Sequence, residues 1–454
     1  MRGCRLLLAS VVAAAACTGP EPSAPEPTTS SGDAVVLFEG ALLIVGDTTA
    51  PIESSAFIVE GNKISRVGRK GDFDVPDGAT RVDLSGKTVI PAFVSMHMHV
   101  GLLNGSEFGP EFYTRDIIVD HLQRYAYYGL GAVFSVGTDV GSISFEIRDN
   151  QTQDAARLLT AGRGMAAPDG GPGIPSIANT SYPITSAEEG RERVRELAAM
   201  GAPAVKIWVD DRGGRVTKLT PDIYRPIIEE AHQHGLMALA HVYYLADAHE
   251  LVDAGVDGFM HLVRDEVMDD GLIAKMKAGN VFAAANIGGT RRGGLAELPG
   301  DSIALLSESV PADVVQTFQT SLLAKDPDAV AAARATYGKM AESLKKLNAA
   351  GITIVLGGDT GIPGAWHGWA EHYELETMVA AGMSPTEVIV ASTSAPAALL
   401  KLDDMGTVAE GKSADFIVLD VSPLENISNT KRISAIYLRG RRLDRGALRA
   451  RWME

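Results

Sequence analysis

Cysteine is almost missing: the 454 residues hold only Cys4 and Cys17, both near the N-terminus. The rest of the chain can form no internal disulfide and offers no thiolate to a metal, so a bound cation must be held by histidine, carboxylates or a modified side chain. Positive charge is also scarce, with 41 Lys and Arg against 57 Asp and Glu, a formal charge of -16 and no basic cluster. That surface repels a phosphate backbone and argues against nucleic acid as a partner. The apolar run from Leu6 to Ala16 is too short to span a bilayer. With 46% apolar and 22% charged residues, neither disorder nor a multi-span membrane protein is indicated. The length suits one large domain with an accessory domain, or two to three ordinary ones.

The N-terminus has its own grammar. Arg2 and Arg5 precede the apolar run, and Ala14-Ala15-Ala16-Cys17 supplies small residues for cleavage, so residues 1–17 read as a secretory signal. Because Cys17 follows the small residues, the segment resembles a bacterial lipoprotein signal, although Ala14 stands where leucine is usual; an ordinary signal cut nearby fits the same residues. Residues 18–33 are rich in Pro, Ser and Thr and read as an extended tether. The expected location is the cell envelope, periplasmic or on the surface, with membrane contact only through a lipid on Cys17.

From 34 to 88 the pattern is one of short strands and turns: Val35 to Phe38, Ala41 to Val45, Phe57 to Glu60, Lys63 to Val67 and Arg81 to Leu84. The same texture returns within 407–450, in Phe416 to Asp420 and Ile433 to Arg439. These two ends predict one small β-sandwich domain formed from both termini. Residues 89–406 instead alternate apolar runs with amphipathic stretches, giving candidate strands at Val89 to Met96, Ala132 to Val136, Ala156 to Leu159, Ala204 to Val209, Met237 to His241, Gly258 to His261, Val281 to Ala285 and Ile352 to Gly357. The fold class is α/β, a (β/α)8 TIM barrel, with a doubly wound sheet as the other candidate. The stretch from Ile287 to Tyr337 exceeds a normal loop and is expected to form a lid or insertion.

Enzymes on such barrels work at the C-terminal strand ends. The first strand ends in His97-Met98-His99, whose alternate imidazoles face one way and suit chelation of one ion. The fourth carries Lys206 inside an apolar run, where an ammonium is expensive. It either snorkels out, pairs with an acid such as Asp210, or loses its proton and takes up carbon dioxide to become a carbamate able to bridge two metals. His241 and His261 end the fifth and sixth strands; each is either a metal ligand or a satisfied structural histidine. Asp359 follows Gly357-Gly358 past the eighth strand, as a metal ligand and proton acceptor or as a helix N-cap. Tyr243 lies on the His241 side if the strand continues, to hydrogen-bond an oxyanion or substrate carboxylate, or to pack. Arg148, Arg212, Arg215 and His367 are loop residues that could meet a negative substrate, or could serve structure alone.

The run Pro91-Ala92-Phe93-Val94-Ser95-Met96-His97-Met98-His99, the lysine strand, the two lone histidines and Gly357-Gly358-Asp359-Thr360-Gly361 resemble the binuclear metal branch of the amidohydrolase superfamily. The likeness extends from about residue 35 to 440. It looks most like the imidazolonepropionase-related group that includes Xaa-Pro dipeptidases and ochratoxin-type amidases, although Gly162 to Gly171 lacks the histidine that dipeptidases often carry there. The resemblance implies two divalent ions, with zinc the default. His97, His99 and Asp359 would hold the more buried ion, His241 and His261 the more exposed one, and N6-carboxylated Lys206 would bridge them. It further implies hydrolysis of an amide bond in a dipeptide, N-acyl amino acid or related small molecule, by a hydroxide held between the ions, with Asp359 as general base and acid. A homo-oligomer is compatible with this reading. Competing readings are a mononuclear deaminase or cyclic amidohydrolase, for which Val242 to Asp247 lacks the expected glutamate, a lactone or organophosphate hydrolase, and a non-catalytic surface-anchored binding protein.

Overall fold

Alternating apolar residues at the two chain ends pair into two facing sheets in the computed structural model, which describes residues 35–453; the signal and tether expected over 1–33 lie outside them. The first sheet orders its strands Lys63–Arg69, Ser55–Glu60, Val35–Glu39 and Thr80–Asp83. The second combines Leu42–Leu43 and Thr88–Pro91 with Phe416–Leu419, Ile433–Leu438 and Arg441–Arg442. Phe38 and Phe57 of the first sheet meet Phe416 and Tyr437, with centroids 4.7–5.1 Å apart in stacked and edge-on pairs. One aromatic core thus ties segments from the two ends of the chain, 359 to 399 positions apart, into a sandwich. After it, the helix Arg445–Met453 leaves the sheets and packs on the barrel, where Trp452 Nε1 donates to Asp120 at 2.7 Å.

Eight parallel strands follow in sequence order: Phe93–Met98, Leu130–Gly137, Arg157–Ala166, Ala204–Val209, Met237–Val242, Gly258–Phe259, Phe282–Ala284 and Ile354–Val355. Met96 N–H donates to Leu356 O at 2.8 Å and Asp359 N–H to His97 O at 3.0 Å, which joins the last strand to the first. This is the expected (β/α)8 barrel. The run Val89 to Met96 is not one strand, however. Val89 and Ile90 pair with Val418 and Ile417 in the sandwich, and the chain then turns at Pro91-Ala92, so that Phe93 N–H reaches Gly129 O in the barrel. Pro91 has no N–H to extend a ladder, and the division falls there.

Inside the barrel Val94, Met96, Phe134, Leu239, Phe282 and Val355 fill the lower layers as one buried cluster. The polar layer lies above them. The long stretch between the seventh and eighth strands is helical, with Gly288–Gly293, Gly300–Leu306, Ala312–Leu323 and Pro327–Ala350. The third of these helices puts Val314, Phe318 and Leu322 into the wall of a cavity that also includes Asp359, which is the position expected of a lid. No helix among the described residues is long and apolar enough to cross a membrane.

Candidate metal centre

In the fourth strand, alternation sends Ala204 into the inner cluster and Val205 and Ile207 outward, and so carries Lys206 inside. The fifth strand follows the same rule from Leu239 to His241, and the register sets Lys206 opposite Leu239 and Trp208 opposite His241. The first strand breaks the rule. Val94 and Met96 both point inward, yet His97 and His99 line the mouth, so the side-chain parity changes between Met96 and His97. The ladder to the second strand shows the same event: Val133 pairs with Ser95 but Ser135 with Met98, so one extra residue is accommodated on the first strand. Such a bulge re-aims side chains next to a site.

His97, His99, His241, His261 and Asp359 line one cavity of about 120 Å³. A ligand atom from each of His97, His99 and Asp359 lies within 4.8 Å of the others. His99 Nε2 is 3.1 Å, and His97 Nε2 3.6 Å, from Asp359 Oδ1. The His261 ring sits 4.8 Å from the His97 ring and 4.4 Å from that of His241. Asp359 adopts a left-handed backbone, φ 47°, which a non-glycine residue holds only where its surroundings enforce it. Gly361 beside it, φ 91°, must be glycine, because a Cβ there would lie 2.0 Å from His99 O.

His97, His99 and His241 are each held through one ring nitrogen, which leaves the other for a cation, whereas His261 turns Nδ1 to two N–H donors. His97 Nδ1 lies 2.9 Å from Met260 O and His99 Nδ1 2.9 Å from the Thr138 hydroxyl. His241 Nε2 faces Asp210 Oδ2 at 3.0 Å. His261 Nδ1 is contacted by Asn286 Nδ2 at 2.8 Å and Arg264 Nη2 at 2.9 Å. Burial pushes His97 and His261 well below the ordinary histidine value and His241 down to about 3, so all three are neutral and suited to coordination. Burial opposes ionisation of Asp359, yet His97, His99 and Lys206 together hold its carboxyl far below the usual range.

Lys206 is 1% exposed, and its Nζ has no hydrogen-bond partner among the described residues. It neither snorkels out nor pairs with Asp210, whose carboxylate takes the Arg212 guanidinium at 2.9 Å as well as His241. Its Nζ lies 5.5 Å from the centroid of the Trp208 ring. Burial lowers its pKa to about 7, with Asp359 opposing and Arg264 and Arg212 adding to the shift. An orphaned buried amine among four imidazoles and a carboxylate fits a donor set for cations, with the amine converted to a carboxylate-like group. Gly137, φ 92°, makes room for it, since a Cβ there would lie 2.7 Å from Lys206 Cγ and 2.6 Å from Trp208.

The remaining sequence candidates are placed differently. The fifth strand ends at Val242, and Tyr243 sits beyond it with its ring 6.0 Å from the Arg264 guanidinium and packed on Tyr244; neither cavity wall described here includes it. Arg212 lines the smaller cavity but is engaged by Asp210. Arg148 lies not in a loop but in the helix Ile143–Asp149, where it binds Asp149 and ties that helix to the carbonyls of Met200 and Gly201, while Arg215 Nε donates to Arg212 O within its own loop. His367 is buried against His121, centroids 3.7 Å apart, and approaches His99 O at 3.2 Å, which makes it a support for the histidine strand. Sequence reasoning missed Arg264, Asn286 and the service of Asp210 to His241. Asp210 was within reach, lying one alternation past Trp208; Arg264 and Asn286 belong to no motif.

The sequence model of the Amidohydrolase family matches residues 88–443. The chain is 22% identical over 406 residues to an imidazolonepropionase of Streptomyces avermitilis, covering 86% of this chain and 87% of that protein. A Xaa-Pro dipeptidase crystal structure superposes with a TM-score of 0.70 at 21% identity, over 90% of this chain and 99% of that one. For A. niger ochratoxinase the TM-score is 0.71 at 18% identity, over 91% and 96%. With the model matching most of its length, from the strand before the histidine pair to the end of the second sheet, the chain belongs to the Amidohydrolase family.

Proposed function

We propose that this amidohydrolase-family chain hydrolyses a carbon–nitrogen amide bond of a small molecule with two divalent cations, zinc by default. His97, His99 and Asp359 would hold one, His241 and His261 the other, and a carboxylated Lys206 would serve both. Bound there, cations supply Lewis acidity and make water more acidic. The chain's own work is to hold four neutral imidazoles in fixed orientation and to keep Asp359 ionised, ready to accept a proton from water and return it to the leaving nitrogen. The observation that carries this reading is the buried, unpartnered Lys206 Nζ amid these groups. The names of the similar proteins, an imidazolonepropionase and a Xaa-Pro dipeptidase, agree with amide chemistry.

The test is a hydrolysis screen of N-acyl amino acids and dipeptides with metal-loaded and metal-depleted protein, together with metal counting and intact mass. About two metals per chain and a mass gain of one carbon dioxide on Lys206 are expected. One tightly bound ion with a free lysine amine, or amide turnover indifferent to metal removal, refutes the proposal. We also read residues 1–17 as a lipoprotein export signal that anchors the enzyme at Cys17 in the envelope; Cys17→Ala is expected to move it from the membrane to the soluble fraction.

A further inference from the structure

Beside Asp359 lies a second cavity of about 630 Å³, and its wall contains a cation without a counterpart. Arg292 is 7% exposed. Its guanidinium is 5.6 Å from the Trp369 ring centroid and 5.4 Å from that of Tyr373, and no acceptor among the described residues hydrogen-bonds or ion-pairs with it. The neighbouring carboxyls are engaged elsewhere. Glu374 accepts the N–H groups of Ile287 at 2.8 Å and Gly288 at 2.6 Å, while Glu371 accepts the Thr360 hydroxyl and Gly368 N–H, both at 2.8 Å. Lys325, on the same wall, directs its ammonium to the carbonyls of Arg292, Gly293 and Leu295 and so braces the loop. A guanidinium is always charged, and leaving one buried without an acceptor is costly unless something else completes it.

The rest of the wall is largely apolar, with Leu103, Val314, Phe318, Leu322 and Trp366; its other guanidinium, Arg264, is held on His261 Nδ1, and its one acidic residue is Asp359. A free ammonium on a substrate would meet Arg292 and no spare carboxylate. We propose that Arg292 receives the carboxylate of an acylated, bulky apolar substrate whose body fills this cavity, so that N-acyl amino acids are favoured over free dipeptides. This inference rests on the amide-hydrolase reading and deepens it. The planar fork of a guanidinium matches a carboxylate bidentately, and the poorly solvated wall strengthens the pair. The volume lies within the range of pockets that enclose a ligand of this size.

The experiment compares release of benzoate from N-benzoyl-phenylalanine and from its neutral carboxamide, using metal-loaded wild type, Arg292→Met and Arg292→Lys. Calorimetric binding of 3-phenylpropionate to the same proteins without metal is measured in parallel. Wild type should prefer the acid on the order of 10- to 100-fold in kcat/KM, as expected for a charge-assisted pair. In Arg292→Met that ratio should fall to near one and phenylpropionate affinity should drop alike, with Arg292→Lys between. Equal rates for acid and carboxamide in wild type, or an undiminished ratio in Arg292→Met, overturns the inference while leaving amide hydrolysis standing. Should Arg292→Met not fold, an undiminished ratio in Arg292→Lys overturns it equally. Arg292-dependent phenylpropionate binding without turnover of any amide supports the anion site and refutes the hydrolase reading. Loss of both refutes both.

Discussion

Replacing Lys206 by methionine should stabilise the metal-free protein at mildly acidic pH while abolishing its activity. The side chain is 1% exposed and its ammonium has no hydrogen-bond partner among the described residues, so methionine, of similar length, keeps the packing and removes the charge. Lowering a lysine from 10.5 to about 7 on folding is a penalty of about 5 kcal/mol for burying the charged form. The sign follows from proton counting. Below pH 7 both folded and unfolded states carry the proton and the penalty is complete. Between pH 7 and 10.5 the unfolded chain binds more protons than the folded one, so wild-type stability rises with pH and the penalty fades. Urea unfolding of metal-free wild type and Lys206→Met, in buffer stripped of carbon dioxide, should show the variant several kcal/mol more stable at pH 6, with the gap narrowing by pH 9. Equal stability throughout, or a less stable variant at pH 6, would mean that the amine has a partner and that its selection for carbamate formation is wrong. The metal-loaded variant should lose both bound cations and turnover.

Asp359→Asn should lower kcat by about 10²- to 10⁴-fold with a smaller change in KM, because the group acts on the proton in transit; a pure KM effect in steady-state kinetics would reassign it to substrate binding. Gly137→Ala should destabilise the fold by about 1–3 kcal/mol and weaken metal retention, since the new Cβ meets Lys206 and Trp208 in a left-handed backbone; a variant with wild-type melting and metal content would contradict this. Burial pushes the Glu374 carboxyl up to about 7, with Ile287 and Gly288 N–H partly opposing, so folded stability falls as pH rises from the unfolded value through 7. Glu374→Gln should remove that slope, read by urea melts at each pH, although its amide nitrogen then opposes one of those two N–H donors and offsets part of the gain; parallel profiles would show the carboxyl to be ionised throughout.

The strands of the barrel were readable because apolar runs punctuated by turns depend on local pattern, and the polar residues that end five of them stand out against those runs. The lid was read only as excess length, although Pro299, Pro311 and Asp326-Pro327 stand at the starts of three of its helices; that those helices cover the mouth is decided by packing. The break at Pro91 was hidden because Val89 to Met96 is apolar on both sides of it except at Ser95; pairing with Phe416–Leu419 divides the run. Tyr243 illustrates the limit of alternation, which ceases where the strand ends at Val242.

Residue type and spacing nominated His97, His99, Lys206, His241, His261 and Asp359 as one site, because each stands in or just past an apolar run that reads as a barrel strand. The tertiary structure decided the rest. It set the bulge that turns both first-strand histidines to the mouth, denied Lys206 a partner by giving Asp210 to Arg212 and His241, and brought Arg264, Asn286 and Arg292 from loops to the site. Electrostatic state and loop placement depend on which groups meet across the fold, and one-dimensional spacing does not encode those meetings.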